Sequence, residues 1–216
     1  MSTLGKLVLG AMGRLRPEPA TGNSAPSIAL PEPERHGGLP LMEALARRHS
    51  SREFKPDPLP PLVLSALLWA AYGINRAEGG RTAPSALNAQ EIDIYLALPA
   101  GAYRYDPVAH ALRLASASDV RRVTGYQDFV DEAPLDLVYV ADHARMGAVP
   151  VAQRGSYAST AAGAIAQNVY LYCASAGLAT VIRAWIDRDA IADALGLPHE
   201  QQVLLAQTVG YLRTGA

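Results

Sequence analysis

"YASTAAGAIAQNVYLYCASAGLATVIRAW", residues 157–185, reads in two halves. Tyr157 to Ala176 predicts the longest helix of the chain, and its small residues permit close backbone approach by a neighbour. "LATVIRAW" then predicts a strand. Asp187 caps a further helix, "RDAIADAL", which Gly196 and Pro198 terminate, and "QVLLAQTVGYL" is the last strand. A long helix among strands that do not alternate regularly as βαβ argues for α+β, not a doubly wound parallel sheet.

Upstream, "LPLMEALARR" places Leu39, Met42, Leu45 and Ala46 at helical spacing, with Pro40 in the first turn. A second apolar helix is predicted over about 61–71, with Gly73 as a left-handed C-cap. "INRAEGGRTAPSALN" is a long loop of turn residues, a kind that is usually functional or disordered. "EIDIYLAL" alternates as a strand, and "AYRYDPVAHALRLA" predicts a hairpin around Asp106-Pro107. Ser118 and Asp119 are N-cap material for a short helix through Val123, and "LDLVYVA" reads as an interior strand. Residues 1–37, rich in proline and poor in periodicity, are expected to be a flexible lead-in to a single domain over 38–216.

Half of the 216 residues are hydrophobic and 18% charged, which excludes general disorder. A net charge of -1 gives no electrostatic footprint for nucleic acid or a membrane surface. The one cysteine, Cys173, leaves no disulfide framework or multi-cysteine metal site, and its alanine-rich setting predicts a buried, inert thiol. The apolar patch Leu7 to Met12 is short and interrupted for an export signal, so a cytoplasmic location is expected.

Four places could carry chemistry. Arg48, Ser50 and Arg52 stand at i, i+2 and i+4, so an extended segment turns all three to one face. Two guanidiniums and a hydroxyl suit a phosphate. His49 faces the other way, although backbone N–H groups there could still contribute. The same residues also read as a solvated basic turn at a helix C-terminus. "PSALNAQ", residues 84–90, offers donors and acceptors at Ser85, Asn88 and Gln90 that suit a heteroaromatic edge, or an ordinary turn. Gln167 and Asn168 lie mid-helix, to bind a ligand or tie helix to sheet. Arg183 and Trp185 end a strand before a helix, where N–H groups are free. The chain has no G-x-G-x-x-G, P-loop or G-x-S-x-G element, and its five histidines are scattered, so no metal site is expected.

Taken in order, "RHSSR", "PSALNAQ", "AGAIAQNVYLYCASAGLATV" and "LGLPHEQQVLLAQTVGYL" resemble the nitroreductase superfamily of FMN-dependent oxidoreductases, from about Leu39 to Leu212. The likeness is closest to the branch that holds SagB-type peptide azoline dehydrogenases. It implies an α+β, three-layer fold with a central, mostly antiparallel sheet flanked by helices. It also implies a homodimer with FMN at the interface. By position, Arg48, His49, Ser50 and Arg52 would hold the phosphate; Pro84, Ser85, Asn88 and Gln90 would reach the flavin from the other subunit. Ala184 and Trp185 match the backbone near flavin N5. The implied reaction is ping-pong: NAD(P)H reduces the flavin, then a small electron acceptor such as a nitroaromatic or quinone reoxidises it, with no catalytic acid or base assigned. The alternatives are oxygen-coupled oxidation of a peptide-derived azoline and a flavin-binding module without turnover. Tyr157 and Arg76 are candidate substrate contacts. Two departures stand out: Glu91-Ile92 replace the usual Pro-Trp, and the sequence stops four residues after Leu212, so only Arg213 could take the basic role of a longer C-terminal arm.

Overall fold

The run Leu135–Asp142 is buried at seven of its eight positions, because it lies mid-sheet with both faces covered. The computed structural model describes residues 1–213. In chain order the elements are α1 (Thr3–Ala11), β1 (Glu18–Pro19), β2 (Ser27–Ala29), α2 (Leu41–Arg47), α3 (Pro61–Tyr72), β3 (Ile92–Leu98), β4 (Gly101–Asp106), β5 (Ala111–Ser116), β6 (Ser118–Asp119), β7 (Leu135–Asp142), α4 (Val151–Ala176), β8 (Ala179–Arg183), α5 (Arg188–Leu195) and β9 (Gln201–Gly210). Seven strands form one antiparallel sheet in the order β2-β5-β4-β3-β7-β9-β8. β1 and β6 pair separately.

Alternation along β3 and β7 sorts their side chains between two layers. Ile92, Ile94, Leu96, Leu135, Leu137 and Tyr139 pack under α3 and α4. Tyr95, Ala97, Val138 and Val140 pack on the other side with Ile191 and Leu195 of α5. The arrangement is the expected three-layer α+β fold.

α4 has 26 residues, hence a length of about 39 Å. Ala158, Ala161, Ala162, Ile165, Ala166, Val169 and Cys173 form its buried stripe. The alanines let α3 and the sheet come close. Gly177, at φ 69°, ends the helix in the left-handed region that favours glycine. Burial pushes the Cys173 thiol well above its ordinary value, as an inert thiol requires.

Three local expectations differ from the structure. Gly73 is extended (φ -69°, ψ 165°), not left-handed, and a Cβ there would run into Trp69. Ser118 and Asp119 form β6, which the sequence did not announce, although Asp119 also accepts the Arg121 N–H at 3.1 Å where the short helical turn Arg121–Thr124 begins. Residues 1–37, expected as a flexible lead-in, carry α1, β1 and β2, and β2 pairs with β5. Lys6 of α1 is fully buried, donating to the Gln127 carbonyl at 2.6 Å and pairing with Asp131.

The layer beneath α5 holds a second buried ion pair. Arg183, at the end of β8, donates to Asp136 of β7 at 2.6 Å and to the Thr124 carbonyl. Thr208 donates to the same Asp136 oxygen. A Cβ at Gly125 would collide with the Arg183 guanidinium, so a glycine there opens its path. Burial pushes the Asp136 carboxyl up and the Arg183 guanidinium down, and each charge opposes the other's shift. Breaking such a pair strands a buried charge. Asp136→Ala is therefore expected to cost about 3–5 kcal/mol in urea unfolding; an unchanged midpoint would show the pair contributes nothing.

Candidate functional site

α2 ends at Arg47, and Arg48 (φ -59°, ψ 120°) turns the chain out into an extended segment beside β8, the last strand of the sheet. Residues of a strand direct their amides alternately to either side, and Thr180 and Ile182 use the side away from β9. The Ser51 N–H donates to the Thr180 carbonyl at 3.0 Å. The Ile182 N–H donates to the Tyr170 hydroxyl, also at 3.0 Å. That hydroxyl lies 2.8 Å from Ser50 Oγ, and the Arg48 guanidinium sits 5.2 Å from the Tyr170 ring centroid. Further on, Phe54 bridges to Leu212 and the Lys55 N–H donates to the Tyr211 carbonyl.

The segment's cations differ in availability. Arg47 is paired with Glu43, one helical turn earlier. Arg48 and Arg52 have no carboxylate partner among the described residues, and Ser50 and Arg52 are exposed. When Tyr170 donates to Ser50, the Ser50 proton stays free to point outward. His49 is exposed, with its Nδ1 turned back to the Arg47 carbonyl at 2.8 Å. Ala184, the residue after β8, is exposed, and its carbonyl accepts from the Arg188 guanidinium at 3.3 Å. Trp185 beside it is half-exposed, with its ring 5.6 Å from that of Tyr126. Arg213 reaches this neighbourhood through its backbone, donating to the Glu53 carbonyl at 3.1 Å. Its guanidinium goes instead to Glu132 at 2.9 Å, an exposed pair of the kind worth about 1 kcal/mol at most.

"PSALNAQ" lies elsewhere. Pro84, Ser85 and Ala86 line a cavity of about 260 Å³ with Tyr157, Thr160 and Ala161 of α4. Tyr170 stands nine residues beyond Ala161, about 14 Å along the helix. The two groups thus occupy different halves of α4, and one chain does not gather them into one cavity. Within the loop, the Gln90 N–H donates to Ser85 Oγ at 2.9 Å. The Gln90 amide is engaged by Arg81, the Gly79 carbonyl and Asn88 Oδ1. Pro84 and Asn88 are exposed.

Gln167 is exposed, whereas Asn168 ties α4 to the Thr82 carbonyl at 3.3 Å. Arg76 is exposed and lies over Gly80. Tyr170, which anchors the cationic segment, escaped sequence reasoning; the one available signal was a tyrosine in an apolar helical stripe, whose hydroxyl needs a partner when buried.

The profile of the nitroreductase family matches residues 45–211. The chain belongs to that family. A protein of Methanocaldococcus jannaschii described as a nitroreductase is 32% identical over 164 residues, covering 71% of this chain and 81% of its own. A crystal structure from Ralstonia eutropha, also described as a nitroreductase, is 53% identical and superposes with a TM-score of 0.89 over 93% of this chain and 96% of that one. The NADPH:FMN oxidoreductase of Vibrio harveyi, solved with NAD+, shares the fold at 20% identity, with a TM-score of 0.59 over 81% of this chain and 69% of that one.

Where many nitroreductases follow the Gln90 position with Pro-Trp, Glu91 here is fully buried, and neither carboxylate oxygen has a partner among the described residues. Burial raises its pKa, opposed by the nearby Arg145 and His143. The fold therefore prefers the neutral acid: this stability is complete below the ordinary carboxylate pKa and is lost as pH rises through the raised value. Glu91→Gln should raise the melting temperature at about pH 7, with the gap closing toward about pH 4. A gap independent of pH would rule out the ionised carboxyl as its cause. Tyr170→Phe leaves the Ile182 N–H unpaired and is expected to cost about 1–3 kcal/mol in chemical denaturation. A variant as stable as the wild type would dissociate the anchor from the sheet edge.

Proposed function

We propose that this chain is an FMN-dependent oxidoreductase that uses NAD(P)H to reduce electron-poor acceptors such as nitroaromatics and quinones, and that it works as a homodimer. One observation carries the reading: two guanidiniums without a carboxylate partner among the described residues, Arg48 and Arg52, share with the Ser50 hydroxyl a segment tethered to the edge strand β8. This donor set fits a phosphate dianion, since forked, charge-assisted hydrogen bonds are about twice as strong as neutral ones. Arg48 and Arg52 would neutralise the charge, Ser50 would donate, and Ala184 would offer its N–H to the ring system. When bound, FMN supplies the hydride-accepting and hydride-donating chemistry, which no side chain here provides.

The remaining contacts would come from Ser85 and Asn88 of a partner subunit. The separation of the two groups along α4 supports this, as does the surface between them. Leu41, Met42 and Leu45 of α2 remain exposed, at 64%, 75% and 42%, and α4 carries the small exposed residues Gly155, Ser159 and Gly163 in its first half. Exposed apolar side chains suit an association surface, and small residues let two helices approach closely. The chain's own part in catalysis is then to hold the cofactor, complete the pocket across a two-fold axis and exclude water.

The purified protein should show an oxidised flavin spectrum that anaerobic NADH or NADPH bleaches. Replacing both Arg48 and Arg52 with Ala should leave a folded dimer by size-exclusion chromatography while FMN affinity falls by about a hundredfold or more. Undiminished flavin retention in that variant would contradict the phosphate assignment. A bound flavin that neither nicotinamide bleaches would overturn the reductase reading.

A further inference from the structure

On the far side of the 84–90 loop, a cavity of about 200 Å³ opens between that loop and the hairpin of β3 and β4. Tyr72, Arg81, Arg104, Arg145 and two carboxylates, Asp93 and Asp106, are on its walls. The carboxylates are already engaged. Asp93 takes Arg145 at 2.6 Å and Arg104 at 3.8 Å. Asp106 accepts the amides of Val108 and Ala109 at 3.0 Å each, and pairs with Arg113 outside.

Two donors on the same walls have no partner among the described residues: the Tyr72 hydroxyl and Nη1 of Arg81. Tyr72 is only 3% exposed. Arg81 stacks over it, guanidinium carbon to ring centroid 5.5 Å, while its Nε donates to Gln90 Oε1 at 3.0 Å. Unpaired buried donors of this strength cost about 1–3 kcal/mol each, more for the charged one, so their persistence calls for an acceptor. Burial pushes the Tyr72 phenol up to about 12, so it keeps its proton to donate.

We infer that this cavity binds a small monocarboxylate, held by Arg81 and Tyr72, at a site separate from the sheet-edge cradle. Three guanidiniums against two carboxylates leave one net positive charge on the walls, which matches a monoanion better than a phosphate dianion. The volume exceeds the roughly 150 Å³ that accommodates a benzene ring, so ligands of acetate size and somewhat larger fit. The site does not rest on the flavin assignment, because none of its donors belongs to the 48–52 segment.

The test is the saturable rise in melting temperature of the full chain with acetate at constant ionic strength, with acetamide as the neutral isostere and inorganic phosphate as the rival anion. Acetate should stabilise the wild type and the Arg48→Ala/Arg52→Ala double variant alike, and acetamide should do nothing. Arg81→Met and Tyr72→Phe should each weaken acetate by about fivefold or more. Tyr72→Phe removes only a hydroxyl without a partner, so without ligand it should be at least as stable as the wild type, which keeps the test clear of misfolding. No saturable effect, or one that survives both cavity variants, overturns the site. An effect lost with Arg48 and Arg52 instead assigns the anion to the cradle, and tighter binding of phosphate than acetate by the Arg48→Ala/Arg52→Ala variant overturns the choice of occupant.

Discussion

The outermost strand of a sheet presents unpaired amides that invite other chains, and in this protein the way β8 covers them anchors the cationic segment. The Thr180 carbonyl is taken by the Ser51 N–H, and the Ile182 N–H by the Tyr170 hydroxyl. The first bond lays the segment after α2 along the sheet edge; the second brings a helix hydroxyl within 2.8 Å of Ser50. The segment that carries Arg48, Ser50 and Arg52 is thus tethered to the sheet edge at Ser51 and, through Tyr170, at Ser50.

That edge is held in turn from below. Arg183 closes β8 by reaching into the layer under α5, where Asp136, Thr208 and Thr124 receive it. The interior supplies little hydration, so the guanidinium tolerates burial only with a carboxylate and further acceptors at hydrogen-bond distance. Nearby, Lys6 and Asp131 pin the N-terminal helix by the same device, and Arg121 with Asp119 fixes the turn after β6. The first residues of the chain are therefore part of the packing on this side of the sheet, although their side chains lie far from the cradle in sequence.

Much of this was legible because it is periodic. The strands at 92–98, 101–116 and 135–142 and the helix before β8 follow alternation or helical spacing, and those patterns report one-sided or two-sided burial directly. What stayed hidden depends on contacts between distant positions. Lys6 and Asp131 are 125 residues apart, and nothing in a proline-rich stretch announces a lysine that will be wholly buried. Tyr170 sits among apolar helix residues, where its ring reads as packing and its hydroxyl's partner lies on another element. Gly73 looked like a left-handed cap, yet its missing side chain makes room for Trp69. Arg213, expected to supply a cation, donates its backbone N–H to the Glu53 carbonyl, and the carboxylate of Glu132 that takes its guanidinium was invisible in one dimension.

The 84–90 loop carries the last constraint. Leu87, Asn88 and Gln90 all have positive φ, at 53°, 54° and 51°, a region that costs a residue other than glycine about 1–3 kcal/mol. Such a cluster persists only where surrounding bonds over-determine it. Here Gln90 is gripped on every side: its N–H by Ser85, its amide by Arg81 and Gly79, its carbonyl by Arg145 at 3.0 Å. The effect is to hold Leu87, 73% exposed, and Asn88 rigidly outward, so that the loop meets whatever docks there without paying to be ordered. Because Arg81 braces Gln90 from the cavity side, the charge state and occupancy of that cavity act on the same bonds that hold the exposed face in shape.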